Sequence, residues 1–185
     1  MSNNKTLWEK AVEFHGHTCP GLATGYRAAI AGMKALGTGR APDEELVAIV
    51  ENDACGVDAV QLITGCTFGK GNLIFHDYGK MVFTFANRTT GKAVRVAVNP
   101  LPSAPPAGAQ RTPESQAATT KLVLEAPDDV LLTIREVALD EPPKARIFAS
   151  VQCAFCGERV MEPRARLRDG KVACIPCSEH YPARV

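Results

Sequence analysis

The sequence lacks long apolar runs and has little net charge. None of its 185 residues belongs to a hydrophobic stretch near the length of about 20 residues that a membrane-spanning helix needs. The formal net charge is +1, so bulk electrostatics give no reason to expect a nucleic-acid or membrane partner. The first residues lack the basic and then apolar pattern of a secretory signal. We therefore expect a cytoplasmic protein with no membrane partner, and nucleic acid is a disfavoured partner.

The sequence also lacks the features of a disulfide-stabilised or nucleotide-binding protein. Its seven cysteines are an odd number, and a cytoplasmic location keeps thiols reduced. Four of the cysteines form two CxxC pairs, an arrangement that indicates metal binding rather than cystine. The glycine-bearing stretch 66–72 does not have the spacing of a Walker phosphate loop, so we do not expect nucleotide binding.

The most distinctive stretch of the chain is 15–21, with the sequence HGHTCPG. An extended backbone would direct the side chains of His15, His17 and Cys19 to one side, because alternate residues of a strand share a face. Pro20 suits the first position of a helix, which would make Cys19 the N-cap. The helix dipole there favours thiolate, which is the form of cysteine that binds metals and attacks electrophiles.

Two chemistries fit this cluster. In the first, His15 or His17 binds one transition metal together with Cys19 and Cys55; zinc suits these donors best, and iron or nickel is also acceptable. Cys55 follows an apolar run at 46–50 and precedes a predicted helix, so its situation repeats that of Cys19. Three protein ligands would leave a fourth coordination position open for water or substrate. In the second chemistry, Cys19 is a catalytic nucleophile and His17 is its base.

Neighbouring polar residues have roles that the sequence leaves open. The histidines and Cys19 are so close in sequence that one of them can orient a ligand instead of binding the metal, with Cys66 as a substitute ligand or a nearby reducible thiol. Asp53 and Asp58 can orient the histidines or cap the helix that follows Cys55. The other polar residues that could line such a pocket or contact a ligand are Lys70, Asn72, His76 and Tyr78.

The C-terminal tail contains a second metal-binding pattern. Cys153 and Cys156 form one CxxC pair, Cys174 and Cys177 form the other, and seventeen residues separate the two pairs. Two such turns present four thiolates to a tetrahedral Zn²⁺, as in zinc ribbons and treble clefs. We expect this zinc to be structural, because four thiolates leave no open position; His180 is an alternative ligand. Basic residues around the pattern make the tail a candidate contact surface for a protein partner.

Hydrophobic periodicity predicts helices and strands along the whole chain. The connector 99–113 contains five prolines and is predicted to be a loop. We expect a core domain at 1–150 and a four-cysteine domain at 151–185. The three strands that follow Cys66 are expected to form a meander. The predicted helices are 7–14, 21–36, 56–64 and 115–124, and the predicted strands are 46–50, 73–75, 80–86, 92–98, 130–139 and 145–151.

The chain resembles the E-subunit family of formylmethanofuran dehydrogenase. The resemblance covers most of residues 7–100 and implies an α+β core, with helices packed on a mainly antiparallel sheet, a His/Cys metal-binding pocket, a zinc-binding tail and a homodimer. The family is named after a molybdenum or tungsten enzyme of carbon dioxide reduction, but the E subunit is not the catalytic one. The name therefore does not imply that activity. The motifs that carry the resemblance are FHGHTCPGLATGYR at 14–27, DACGVDAVQ at 53–61, TGCTFGKGNL at 64–73 and DYGK at 77–80.

Two functions of different classes follow from these observations. The first is a metalloprotein whose open core site binds a small molecule or performs redox or hydrolytic chemistry. The second is a non-catalytic accessory protein, such as a metal carrier, an assembly factor or a docking protein, which contacts its partner through the zinc-binding tail.

Overall fold

The computed structural model of the chain describes residues 5–102, 112–139 and 142–178. The chain divides into two compact units, the first ending at Ala145 and the second beginning at Arg146. The first unit contains helices and a five-stranded sheet, and the second contains two short hairpins. The predicted α+β class with a small cysteine-rich tail is confirmed. His180 and residues 103–111 of the proline-containing connector lie outside the described part of the chain.

Helices of the first unit begin at residues that can accept hydrogen bonds from free backbone N–H groups. Thr6 and Glu9 form a capping box at the first helix. Thr112 caps the fourth helix in the same way. In the described residues, no helix combines the length and the hydropathy needed to cross a membrane. The helices are α1 (Leu7–His15), α2 (Pro20–Leu36), α3 (Gly56–Thr64), α4 (Pro113–Glu125) and α5 (Asp128–Leu131).

The sheet has the strand order β2-β1-β3-β4-β5, with one parallel and three antiparallel pairings. The predicted meander is wrong at its first step, because β1 lies between β2 and β3. Helix α3 connects β1 to β2, and such a crossover joins parallel neighbours. All five residues of β1 are buried, which fits a place inside the sheet. The strands are β1 (Leu46–Val50), β2 (Leu73–Phe75), β3 (Val82–Asn87), β4 (Lys92–Val98) and β5 (Leu132–Glu136).

The last two predicted strands are shorter than expected. The predicted strand 130–139 begins with α5, a turn of helix that follows Pro127 and carries two aspartates at its start, where the helix dipole favours negative charge. The predicted strand 145–151 has no regular structure before Ser150. The strands of the second unit are β6 (Ser150–Gln152), β7 (Arg159–Met161), β8 (Arg166–Arg168) and β9 (Lys171–Ala173).

Helix α2 is the centre of the core and approaches its neighbours at glycines. A Cβ atom on Gly32 would overlap the ring of Phe85 from β3. A Cβ atom on Gly25 would overlap the backbone of Gly56 at the start of α3. The two helices therefore touch backbone to backbone, which brings the residues before each helix, Cys19 and Cys55, to the same place.

Arg27 of α2 holds the C-terminal end of α4. Its guanidinium donates hydrogen bonds to the carbonyl oxygens of Val123 and Leu124, both at 2.7 Å, and of Ala126 at 2.6 Å. It also forms an ion pair of 2.6 Å with Asp128. The cation thus satisfies carbonyl groups that the end of a helix leaves without partners.

A buried ion pair fixes the end of β1. Glu51 follows the strand and is only 4% exposed, and both of its carboxylate oxygens accept hydrogen bonds from Arg95 of β4. The hydrogen bonds from Arg95 hold the pKa of Glu51 below its ordinary value, although burial opposes them. Sequence reasoning missed this pair, because the two residues are far apart along the chain.

Gly25→Ala tests the contact between α2 and α3. The added methyl group overlaps backbone, which cannot rotate away, so we expect the free energy of unfolding to fall by about 3 kcal/mol in chemical denaturation. Gly39→Ala is the matched control, because a Cβ atom there meets nothing within 4 Å. Equal stability of the two variants would contradict the close contact.

Glu51→Gln tests the buried ion pair through its pH dependence. A carboxyl with a lowered folded pKa contributes stability above its unfolded pKa of about 4.3 and loses it as the pH falls through the lower folded value. We therefore expect the native protein to lose more stability than Glu51→Gln between pH 6 and 3, as about 1 kcal/mol or more in denaturant titrations. Glu125→Gln, whose carboxyl is exposed on α4, should follow the native curve.

Candidate metal centres

The first donor of the core site stands at the end of α1. His15 is the last residue of the helix, and Gly16 ends it with φ of 92°, a left-handed conformation that favours glycine. The chain then continues to His17, whose ring centroid lies 4.3 Å from that of His15. His15 is partly buried, whereas His17 is exposed.

Cys19 occupies the predicted N-cap position. Its backbone is extended (φ −151°, ψ 162°), Pro20 is the first residue of α2, and the Sγ atom accepts a hydrogen bond of 3.4 Å from the backbone N–H of Leu22. This N–H group is one of those that the first turn of a helix leaves free, so the thiol is fixed in orientation.

Cys55 differs from the predicted repeat of that arrangement. It has helical backbone angles (φ −47°, ψ −29°) and makes no capping hydrogen bond with its side chain. The reason is that the chain turns between β1 and α3 at residues 52–55, so Cys55 already belongs to the turn. A Cβ atom on Gly21 would lie 3.3 Å from the Cβ of Cys55, so the absence of a side chain at Gly21 gives Cys55 its place beside α2.

These four residues bring their donor atoms together. One ligand atom from each of His15, His17, Cys19 and Cys55 lies within 4.8 Å of the other three. None of them therefore has to stand outside the group, although the sequence left room for that arrangement. Cys66 does not belong to it: the thiol is fully buried in the core beneath the sheet, and burial raises its pKa.

Asp58 orients His15. Its Oδ2 atom lies 2.7 Å from the Nδ1 atom of His15, and the Nε2 atom of the same ring lies 3.9 Å from the Sγ atom of Cys19. Of the two roles that the sequence allowed for Asp58, this contact supports orientation of a histidine. A carboxylate on the far nitrogen of a metal-binding imidazole fixes the ring and increases its basicity.

The electrostatics of the pair of thiols favour a bound cation. Burial raises the pKa of Cys55, and the neighbouring Cys19 raises it further. A divalent cation opposes both effects, because it stabilises the thiolate that these surroundings disfavour. Two imidazole nitrogens and two sulfurs are also the donor set that tetrahedral zinc accepts. The residues of the site therefore fit a transition metal.

A cavity of about 510 Å³ adjoins the donor group. His15 and Cys55 belong to both, so a metal held by the four residues would face the cavity. Sequence reasoning missed the two phenylalanines in its wall, since nothing in the pattern marks them. The cavity is lined by His15, Val50, Asn52, Asp53, Ala54, Cys55, Val57, Asp58, Gln61, Phe68, Leu73 and Phe75.

The remaining candidate ligand contacts have other roles. The Lys70 ammonium lies near the carbonyl oxygens of Pro42 and Asp43, at 3.5 and 3.4 Å. Asn72 is fully buried, and its amide accepts from the N–H of Thr67 and donates to the carbonyl of Leu46. These two residues hold the loop after α3, so neither is available to a ligand. His76 and Tyr78 pack against each other and do not line the cavity.

The tail forms a second, purely cysteine donor group. The sulfur atoms of Cys153, Cys156, Cys174 and Cys177 lie within 4.8 Å of one another. Hydrogen bonds from the backbone N–H groups of Cys156 and Cys174 lower the pKa of Cys153 to about 6. The turns of the polypeptide thus stabilise thiolate before any metal binds, as expected for a structural zinc site.

Comparisons with known proteins give two family matches. The family model described as "FmdE, Molybdenum formylmethanofuran dehydrogenase operon" matches residues 14–140. The model of the prokaryotic dksA/traR C4-type zinc finger matches residues 146–181. The second match and the four-cysteine group together support zinc as the metal of the tail.

Two known proteins are similar over most of the chain. A probable S-adenosyl-L-methionine-binding protein of Archaeoglobus fulgidus is 32% identical over 200 residues, which include 95% of this chain and 53% of the relative. The chain therefore spans about half the length of that relative. The crystal structure of an FmdE-like protein of tungsten formylmethanofuran dehydrogenase from Syntrophus aciditrophicus is 28% identical, with a TM-score of 0.66 over 92% of this chain and 91% of that one. The resemblance seen in the motifs is confirmed, and the chain belongs to the FmdE family, with a C4-type zinc finger at its C-terminal end.

Proposed function

We propose that the core of this protein is a metal-dependent site for a small molecule. His15, His17, Cys19 and Cys55 hold one transition metal, with Zn²⁺ as the first choice, and the small molecule occupies the adjacent cavity. The observation that carries the proposal is the convergence of four nitrogen and sulfur donors, from two distant segments, at the wall of a cavity of ligand size.

An exposed ligand makes this site suitable for more than a structural role. His17 is exposed, whereas Cys19 is buried, so His17 is the ligand that an incoming molecule or water can replace. Three remaining ligands and one exchangeable position are the usual arrangement of a catalytic zinc, which lowers the pKa of bound water and polarises carbonyl groups. Redox or hydrolytic chemistry at the metal is therefore part of the proposal.

The alternative of metal-free thiol catalysis has less support. It requires His17 to act as the base for Cys19, but the ring nitrogen found near the Cys19 sulfur is Nε2 of His15, at 3.9 Å. The Nδ1 atom of that ring is engaged by Asp58. This relay is a metal-ligand arrangement as much as a catalytic one, and the raised pKa of Cys55 disfavours free thiolate beside it.

S-adenosyl-L-methionine is one small molecule to test in the cavity, because the archaeal relative is described as a probable S-adenosyl-L-methionine-binding protein. The matching region is about half of that relative, so its binding site can lie in either half. Nothing in the match extends to molybdopterin chemistry, and the family name is not evidence of dehydrogenase activity here.

A non-catalytic accessory role is the second candidate function. The tail carries apolar side chains that face solvent, among them Leu167 at 77% exposure and Ile175 at 51%. Arginines flank Leu167 on both sides in β8. An apolar surface bordered by cations is a suitable contact for an acidic partner protein. The homodimer is likewise a proposal, which rests on the family resemblance and on exposed apolar residues of α1 such as Phe14.

Metal analysis of two variants tests the proposed function. The native protein should contain about two metal ions per chain, His17→Ala combined with Cys19→Ser should retain only the tail metal, and Cys153→Ser should retain only the core metal. Cys66→Ala is the matched control, since its thiol belongs to neither donor group. A core that binds no transition metal at full folding would refute the proposal. Transfer of the core metal to an acceptor protein, without small-molecule binding, would favour the accessory role.

Asp58→Asn tests whether the carboxylate positions His15 for the metal. Loss of a carboxylate behind a metal-binding imidazole costs about 10–100-fold in affinity, so zinc should bind the core that much more weakly in competition with a chromophoric chelator. Asp53→Asn is the control, because Asp53 is an exposed carboxylate of the same segment. Unchanged zinc affinity in Asp58→Asn would mean that the contact with His15 is not part of the metal site.

A further inference from the structure

We infer that the cavity beside the core donor group takes an organic cation of the ammonium or sulfonium class and rejects anions. This inference rests on the proposed function and narrows the class of its small molecule. It follows from the charges, the aromatic walls and the hydrogen-bonding groups of the residues that line the cavity.

The charges on the cavity wall are negative. Asp53 and Asp58 are among the lining residues, and the described residues that line the cavity include neither lysine nor arginine. The one basic group among them, His15, is bound to the carboxylate of Asp58. A divalent metal with two thiolates adds no net positive charge. A concave surface with this balance attracts cations and repels anions.

The amide groups of the wall are unavailable to an anion. Asn52 is 6% exposed, its Nδ2 donates to the carbonyl of Lys80 at 2.8 Å, and its Oδ1 accepts from the N–H of Ala54 at 3.2 Å. The Nε2 atom of Gln61 faces Asp58 at 3.4 Å. Both side-chain amide donors are therefore directed to acceptors within the protein. An anion entering the cavity would lose its water without gaining a strong donor.

Aromatic rings complete the site for a cation. Phe68 and Phe75 line the cavity and are 79% and 45% exposed, so their ring faces are accessible. Val57 and Leu73 supply apolar wall between them and the donor group. Cations whose charge is spread over methyl or methylene groups bind to ring faces and to carboxylates together. A cation with an apolar body fits both kinds of surface.

The charge of the ligand can be isolated with three compounds of one shape. Choline, its uncharged tert-butyl analogue and the tert-butylacetate anion should be titrated into the zinc-loaded full chain by calorimetry. We expect choline to bind at least about 5-fold more tightly than the uncharged analogue, since carboxylates and rings both act on it. The anion should bind most weakly. Trimethylsulfonium and isoamylammonium then distinguish the sulfonium source from the primary ammonium source.

Two variants with matched controls link that preference to named residues. Asp53→Asn should weaken choline binding about 2–5-fold, and more at low salt, whereas Asp77→Asn, an exposed acid outside the cavity wall, should not. Phe68→Leu keeps the wall apolar but removes the ring, so it should weaken choline about 2–5-fold without weakening the uncharged analogue. Phe14→Leu, an exposed ring elsewhere, is its control.

The outcomes separate this inference from the proposed function. Equal or tighter binding of the anion, or no binding of any of these cations to protein that carries its core metal, overturns the inference and leaves the metal site intact. Absence of the core metal from folded native protein overturns the proposed function itself. Unchanged choline affinity in both Asp53→Asn and Phe68→Leu also overturns the inference, because the preference would then arise elsewhere.

Discussion

The close contact of two helices at glycine is the constraint on which the core site depends. Gly25 of α2 and Gly56 of α3 meet without side chains between them, and a Cβ atom on Gly21 would meet Cys55. Any side chain at Gly25 would force the helices apart, because close-packed backbone cannot yield as a side chain does. The separation of the helix starts sets the separation of Cys19 and Cys55. The same contact therefore maintains the core and defines the geometry of the metal ligands.

The two donor groups differ in ways that match different tasks. In the tail, four cysteines are held by their own turns, and backbone N–H groups stabilise thiolate at Cys153. In the core, Cys55 is a poor thiolate until a cation arrives, one histidine is exposed, and the other is held by Asp58. A closed group of four thiolates suits structural zinc, whereas mixed donors beside a cavity suit a metal that meets a ligand. The small tail depends on its metal for folding far more than the first unit does.

Much of the fold was predictable, and the errors have physical causes. Helices with clear stop signals, such as α2 before Gly37, and strands of apolar residues, such as β1, were found near their observed limits. The order of strands was not, because periodicity along a strand carries no information about which neighbour it pairs with. The helical turn α5 was missed because its capping signal follows a proline within an apolar run. The pair of Glu51 and Arg95 joins two strands that are not sequence neighbours, so no local pattern announces it.

The sequence by itself determined the donors that lie close together along the chain. Two CxxC pairs can reach one ion through local turns, and Cys19 is fixed as an N-cap by Pro20 and by the free N–H groups of the helix start. Only the tertiary structure decided that Cys55 joins the histidines, that Asp58 rather than Asp53 orients His15, and that two phenylalanines face the same cavity. These relations depend on how closely α3 packs on α2 and on where β1 and β2 end. Distances of that kind follow from packing in three dimensions and not from spacing along the chain.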